Sequence, residues 1–261
     1  PPPPPPPPHF FLTPHTDNEI LSGLVGSEMC IRDRYYGTPF EVNEHISYEG
    51  VKDYITSISK YAPREYQIEG VFDALRHNRR LLISPTASGK SLMIYSIVRY
   101  YVERGENTLI VVPTTSLVEQ MYKDFADYGW DVGSFCHKIY AGKERETDSQ
   151  VIITTWQSIY KLPRKYFERF SVVVGDEAHQ FKSKSLISIM TKLDHAKYRF
   201  GFTGTLDGTQ THKWVLEGLF GPSYKIIGTK DLMTKGLSLI HISEPTRPER
   251  IAYGVVCVKK K

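Results

Sequence analysis

Between residues 35 and 236, short apolar runs alternate with longer amphipathic segments. Five runs, at residues 80–84 (RLLIS), 108–112 (TLIVV), 150–154 (QVIIT), 171–175 (SVVVG) and 198–202 (YRFGF), are apolar without period-two alternation. That pattern predicts strands covered on both faces. Between them, SLMIYSIVRYYVERG ends at Gly105 and SLVEQMYKDFADYG ends at Gly129, each with helical spacing of its apolar positions and a glycine stop. Strand and helix in alternation predict an α/β domain, a parallel sheet with helices on both faces. Ligands of such sheets bind at the carboxyl ends of the strands.

The pattern fails at both ends. Residues 1–34 open with eight prolines and continue without helical or strand periodicity, and residues 237–261 close on three lysines. SGLVGSEMCIRDR and LSLIHISEPTRPER resemble translated sequencing-adapter read-through, so both ends are read as artefacts on a gene cut at each side; native disordered tails with a proline-rich arm are the alternative. The expected organisation is an artefactual or disordered tail at 1–34, a linker or module remnant at 35–62, an ATP-binding domain at 63–236 and a second tail at 237–261.

Composition narrows the class only slightly. A hydrophobic content of 40% is enough for a buried core, and a net charge of +4 permits nucleic-acid binding without requiring it. Cys30, Cys136 and Cys257 are odd in number and far apart, which fits neither a disulfide framework nor a metal site. No run approaches the roughly 18 apolar residues of a membrane span, and residues 20–30 lack the basic flank of a signal peptide. A cytoplasmic protein without membrane contact is expected.

The chemistry begins directly after the first predicted strand, where SPTASGKS (residues 84–91) runs into a helix. This is the G-x-x-x-x-G-K-[ST] phosphate loop with Ser84 in place of the first glycine. The loop backbone of Pro85-Thr86-Ala87-Ser88-Gly89, through the N–H groups of every residue but the proline, and the helix start face the phosphates; Lys90 brings a positive charge and Ser91 a hydroxyl for Mg²⁺. A plain helix cap made by Ser88 or Ser91 is the alternative. About 85 residues on, SVVVG runs into DEAH, placing Asp176 and Glu177 at a strand end expected beside the phosphate-loop strand. Asp176 suits the second Mg²⁺ contact, Glu177 the orienting of attacking water, and His179 the sensing of nucleotide state; a solvated strand end is the alternative.

With these residues in view, the sequence resembles the superfamily 2 helicases, most closely the phage UvsW-type branch-processing helicases. The resemblance implies a RecA-like phosphate-loop NTPase fold, ATP and Mg²⁺ as cofactors, and coupling of ATP hydrolysis to movement on nucleic acid, DNA rather than RNA. PREYQ (residues 63–67) resembles the Q motif, which implies that Gln67, with Arg64, reads the adenine. PTTSLVEQ resembles motif Ia, with Pro113, Thr114, Thr115 and Gln120 on the nucleic-acid backbone; TTWQS resembles its neighbour, with Thr155, Trp156 and Gln157. Hydroxyls and amides at strand ends suit phosphate oxygens more than base edges. The same threonines, with Thr154, could cap helices, and Trp156 could pack rather than stack. Thr203-Gly204-Thr205 resembles motif III, which links ATP state to strand contact, and is otherwise a turn; Lys182 and Lys184 read as a solvated face. The family's second motor domain, with its hydrolysis-completing arginine, has no counterpart motif, so the chain alone is expected to be inactive. A nucleotide-gated binding protein without hydrolysis, or the motor of a restriction enzyme or remodeller, shares these motifs.

Overall fold

The computed structural model describes residues 42–85, 87–140, 147–180, 183–204 and 210–228. Two helices lead in: α1 (Tyr48–Ile58), whose N-cap Ser47 accepts from Gly50 N, and α2 (Glu65–His77), which ends on Asn78 in the left-handed conformation. The strands follow as β1 (Arg79–Ile83), β2 (Thr108–Val112), β3 (Cys136–Ile139), β4 (Val151–Thr155), β5 (Val172–Gly175), β6 (Tyr198–Thr203) and β7 (Ser223–Lys225). All neighbours pair in parallel, in the order β3-β4-β2-β5-β6-β1-β7. Helices α3 (Lys90–Val102), α4 (Thr115–Asp127) and the single turn α5 (Val132–Phe135) join α1 and α2 on one face; α6 (Trp156–Ile159), α7 (Arg164–Phe167), α8 (Ser183–Lys192) and α9 (Gln210–Phe220) cover the other. This is the parallel α/β architecture that the apolar runs predict, and it agrees with the RecA-like fold that the resemblance implies.

Adjacent residues of one strand feed opposite cores, as the pleat requires. Leu82, Ile110 and Val112 pack with Met93, Val98 and Phe125, whereas Leu81, Leu109 and Val111 pack with Leu186, Leu216 and Phe220. Both faces are therefore dry, and truncating a fully buried side chain such as Ile110 to alanine should cost about 2–5 kcal/mol. α1 lies in the stretch read as a linker or remnant, yet Val51 and Ile55 belong to the first of these cores.

Three features depart from the sequence reading. The acidic strand β5 is not beside β1: β6 lies between them, bonded to both. That interposition brings Thr203 to the phosphate loop, where Ser84 N donates to Thr203 O at 2.9 Å. Strands β3 and β7 carry no long apolar run, being short and partly exposed at the sheet's edges. The two helices end before the expected glycines, at Val102 and Asp127; Gly105 and Gly129 reverse the chain just beyond with φ of 82° and 106°. Cys136 is buried, and burial pushes its thiol up to about 12. Cys30 and Cys257 lie outside the described residues, as do residues 1–41 and 229–261 that hold both tails. Among the described residues no helix is long and apolar enough to cross a membrane.

Candidate nucleotide site

The loop between β1 and α3 is shaped by residues it does not itself contain. Gln67 Nε2 donates to Ser88 O at 3.0 Å and Gly89 O at 3.3 Å, and Tyr66 OH donates to Ser88 O at 2.9 Å. Arg64 Nη1 reaches Tyr66 OH at 3.0 Å, while Gln67 Oε1 accepts from Arg64 N at 2.9 Å. PREYQ thus braces the loop from beneath, with the Gln67 carboxamide buried against it. Ser84, the departure from the glycine of the motif, has a task of its own: its Oγ donates to Ser88 Oγ at 2.6 Å, both residues buried.

Gly89 is required twice over. Its φ of 77° lies in the left-handed region, and a Cβ there would stand 2.3 Å from Gln67 Nε2. Ala87 also takes a left-handed φ, 66°, which costs a residue with a Cβ about 1–2 kcal/mol. Strain of this kind persists where surroundings enforce it, and here it turns loop backbone toward one concavity. Thr86 lies outside the described residues. At the end of the loop α3 presents the free N–H groups of a 13-residue helix, a ready anion site.

Opposite the loop stands DEAH. Asp176 N donates to Val111 O at 3.0 Å, fixing the acid at the carboxyl end of β5, and Glu177, with a left-handed φ of 48°, turns its N–H to Asp176 Oδ1 at 2.9 Å. Burial pushes the Asp176 carboxyl up to about 6, against the pull of Lys90 and with the charge of Glu177 adding to the rise. Lys90 Nζ meets Glu177 Oε1 at 2.5 Å, so loop and acidic strand are joined across the concavity. His179 Nδ1 contacts Thr203 Oγ1 at 2.9 Å and lies 3.4 Å from Glu177 Oε2. Asp176, Glu177, His179 and Thr203 therefore form one linked chain from the loop to β6. Gly204 follows it; Thr205 lies outside the described residues.

These residues fit Mg-ATP. A cradle that a Cβ would fill, a mobile cation and a helix start suit a polyphosphate. The buried Asp176 carboxylate beside the loop suits Mg²⁺, which characteristically uses one or two protein oxygens together with substrate phosphates. Ser91, the other metal candidate, has its Oγ 3.1 Å from Tyr128 OH at the end of α4. Tyr128 in turn meets the half-exposed Tyr61 edge to face at 5.9 Å. Tyr66, Tyr128 and Tyr61 escaped the sequence reading. Tyr66 lies within PREYQ and Tyr61 just before it, whereas nothing local marks Tyr128.

The backbone-binding candidates cluster at the carboxyl ends of β2 and β4, away from the loop. Thr114, Thr115 and Gln120 are exposed, Pro113 and Thr155 buried. Gln157 Nε2 donates to Pro113 O at 3.3 Å, joining the two segments. Part of the bland alternative holds as well, for Thr114 Oγ1 caps α4 at Leu117 N and Trp156 packs against the second core and Tyr160; Thr154 Oγ1 instead donates to Ile139 O of the neighbouring strand and caps no helix. Thr155 Oγ1 meets the hydroxyl of Ser158 at 2.9 Å and does not cap α6.

Comparison with known proteins places this geometry. The family model described as "Type III restriction enzyme, res subunit" matches residues 60–208. The ATP-dependent DNA helicase UvsW of Enterobacteria phage T4 is 33% identical over 204 residues, 74% of this chain and 41% of that protein. The DNA 3'-5' translocase XPB2 of Sulfurisphaera tokodaii is 32% identical over 146 residues, 54% of this chain and 30% of that one. A crystal structure of the phage T4 UvsW helicase superposes with a TM-score of 0.65 at 31% identity, covering 78% of this chain and 77% of that chain. The chain thus spans less than half the length of the two curated relatives.

Proposed function

Because the chain belongs to the superfamily 2 helicases, in the family of the type III restriction enzyme res subunit, we propose that it is the ATP-binding motor domain of an ATP-dependent DNA helicase or translocase. The observation that supports this reading is the bridge of Lys90 to Glu177, which joins the phosphate loop to the acidic segment that follows β5. A loop lysine resting on the acid of the opposite strand is a charge in waiting.

Each residue then has a task. Lys90 leaves Glu177 for the phosphates, the better partner because it carries more negative charge. Ser91 and Asp176 would hold Mg²⁺, Ser91 once its hydroxyl had turned from Tyr128. Mg²⁺ supplies neutralisation of charge developing on the transferred phosphoryl group. Glu177, freed of Lys90, orients the attacking water. Gln67 and Arg64 lie on the adenine side with the exposed ring of Tyr61 close by. His179, bonded to Thr203, passes the state of Glu177 to β6. Thr114, Thr115, Gln120, Thr155, Trp156 and Gln157 face the phosphate backbone of DNA, with little base preference. Turnover and stepping need a second motor domain closing on the same nucleotide, and the work is done inside a bacterial or phage-infected cell.

Calorimetric titration of the chain with Mg-ATP tests the reading. Binding should be measurable and lost in Lys90→Ala; equal affinity in the two would remove the loop from the nucleotide site.

A further inference from the structure

At the amino ends of the strands, opposite the nucleotide site, lies a groove that no task above employs. Two adjoining cavities of about 500 and 470 Å³ share Tyr100 and Arg104 as walls. Asn78 and Tyr198, which open β1 and β6, line the first, and Tyr54 lines the second. The rings run on from one another: Tyr54 to Tyr100 at 5.8 Å, Tyr100 to Tyr101 at 5.2 Å, Tyr101 to Tyr198 at 4.2 Å. Tyr54, Tyr100 and Tyr198 are only partly buried, and two exposed cations flank them. The Arg104 guanidinium sits 3.4 Å from the centroid of the Tyr100 ring, and Lys197 Nζ lies 5.5 Å from that of Tyr198.

Partly open aromatic faces interleaved with cations are what a single nucleic-acid strand needs, since every base offers a π-face and every linkage a negative charge. We propose that this groove is a second nucleic-acid contact, holding a single strand with one base on the Arg104 guanidinium stacked over Tyr100, another on Tyr198, and phosphates at the edge of Arg104 and on Lys197. Glu44, also on the wall, disfavours a strand crossing that corner and turns the path toward Lys197. A strand there runs at the opposite end of the sheet from Thr155 and Trp156. The inference rests on the nucleic-acid reading above, and its test separates the two.

The purified chain is titrated with a fluorescent oligo-dT of about 20 nucleotides, enough to exceed one such site, over a range of salt. Arg104→Glu with Lys197→Glu should weaken binding about tenfold and lower the slope of log affinity on log salt by about 1.4, the share of two single-strand phosphates. Mg-ATP binding should not change. If the double variant melts early, Lys197→Gln alone should still lower the slope by about half as much. Iododeoxyuridine in the oligonucleotide should photocross-link to Tyr100 or Tyr198. Unchanged slope, cross-links confined to the Trp156 segment, or displacement by an acidic peptide but not by excess oligo-dT would overturn the groove and leave the motor reading standing. No oligonucleotide binding by the parent chain at all would overturn both.

Discussion

Asp176→Asn should make the nucleotide-free chain more stable at neutral pH while removing its function. Asp176 is 6% exposed, and burial is the main cause of its rise from 3.8 to about 6. At roughly 1.4 kcal/mol per tenfold step, that rise corresponds to about 3 kcal/mol held against the folded state when the acid is charged. The sign follows from linkage: a pKa higher in the folded than in the unfolded chain gives stability that is fully present below the unfolded value of 3.8 and lost as pH climbs through about 6. Asparagine keeps the acceptor for Glu177 N but must satisfy a buried amide, which returns about 1 kcal/mol. A net gain of about 2 kcal/mol near pH 7.5 raises the melting temperature by about 4 to 8 °C for a domain of this size. Melts of both proteins from about pH 4.5 to 8 check this. The gap should be small at the acid end and open fully above pH 6, and the variant should bind no Mg-ATP. A variant less stable at neutral pH, or a gap independent of pH, would refute the assignment of Asp176 as a carboxylate waiting for a cation.

The remaining expectations concern its neighbours. Glu177→Gln should retain Mg-ATP binding in this chain, since Lys90 loses its competing partner, and in a full-length protein with both motor domains should cut nucleic-acid-stimulated hydrolysis on the order of a hundredfold, read by phosphate release. Gly89→Ala meets both a left-handed φ and a Cβ at 2.3 Å from Gln67, and should cost about 2 kcal/mol in a urea melt together with most nucleotide affinity. Tyr128→Phe removes the hydroxyl that engages Ser91; affinity for Mg-ATP should rise about two- to fivefold, and that for ATP in EDTA should stay level.

What the sequence disclosed and what it withheld divide along physical lines. Strands buried on both faces write themselves as unbroken apolar runs, so β1, β2, β4, β5 and β6 were legible to within a residue or two. Strand β3 carries half-exposed His137 and Lys138 side by side at its centre, and β7 is three residues of an edge, so neither carries that signature. Strand order is a long-range property: nothing in SVVVG or YRFGF says that the second separates the first from β1. The loop, Lys90 and DEAH were legible because phosphate chemistry fixes both residue type and spacing. The brace of Tyr66 on Ser88 and the grip of Tyr128 on Ser91 join positions 22 and 37 residues apart, and only the folded chain reveals them.

The most direct test of the account is a crystal structure of the chain with Mg²⁺ and a non-hydrolysable ATP analogue. Lys90 Nζ should have left Glu177 for the β- and γ-phosphates, with Ser91 Oγ turned from Tyr128 toward Mg²⁺ and Asp176 on the far side of the ion. A nucleotide bound elsewhere, with the Lys90 to Glu177 bridge intact, would contradict it.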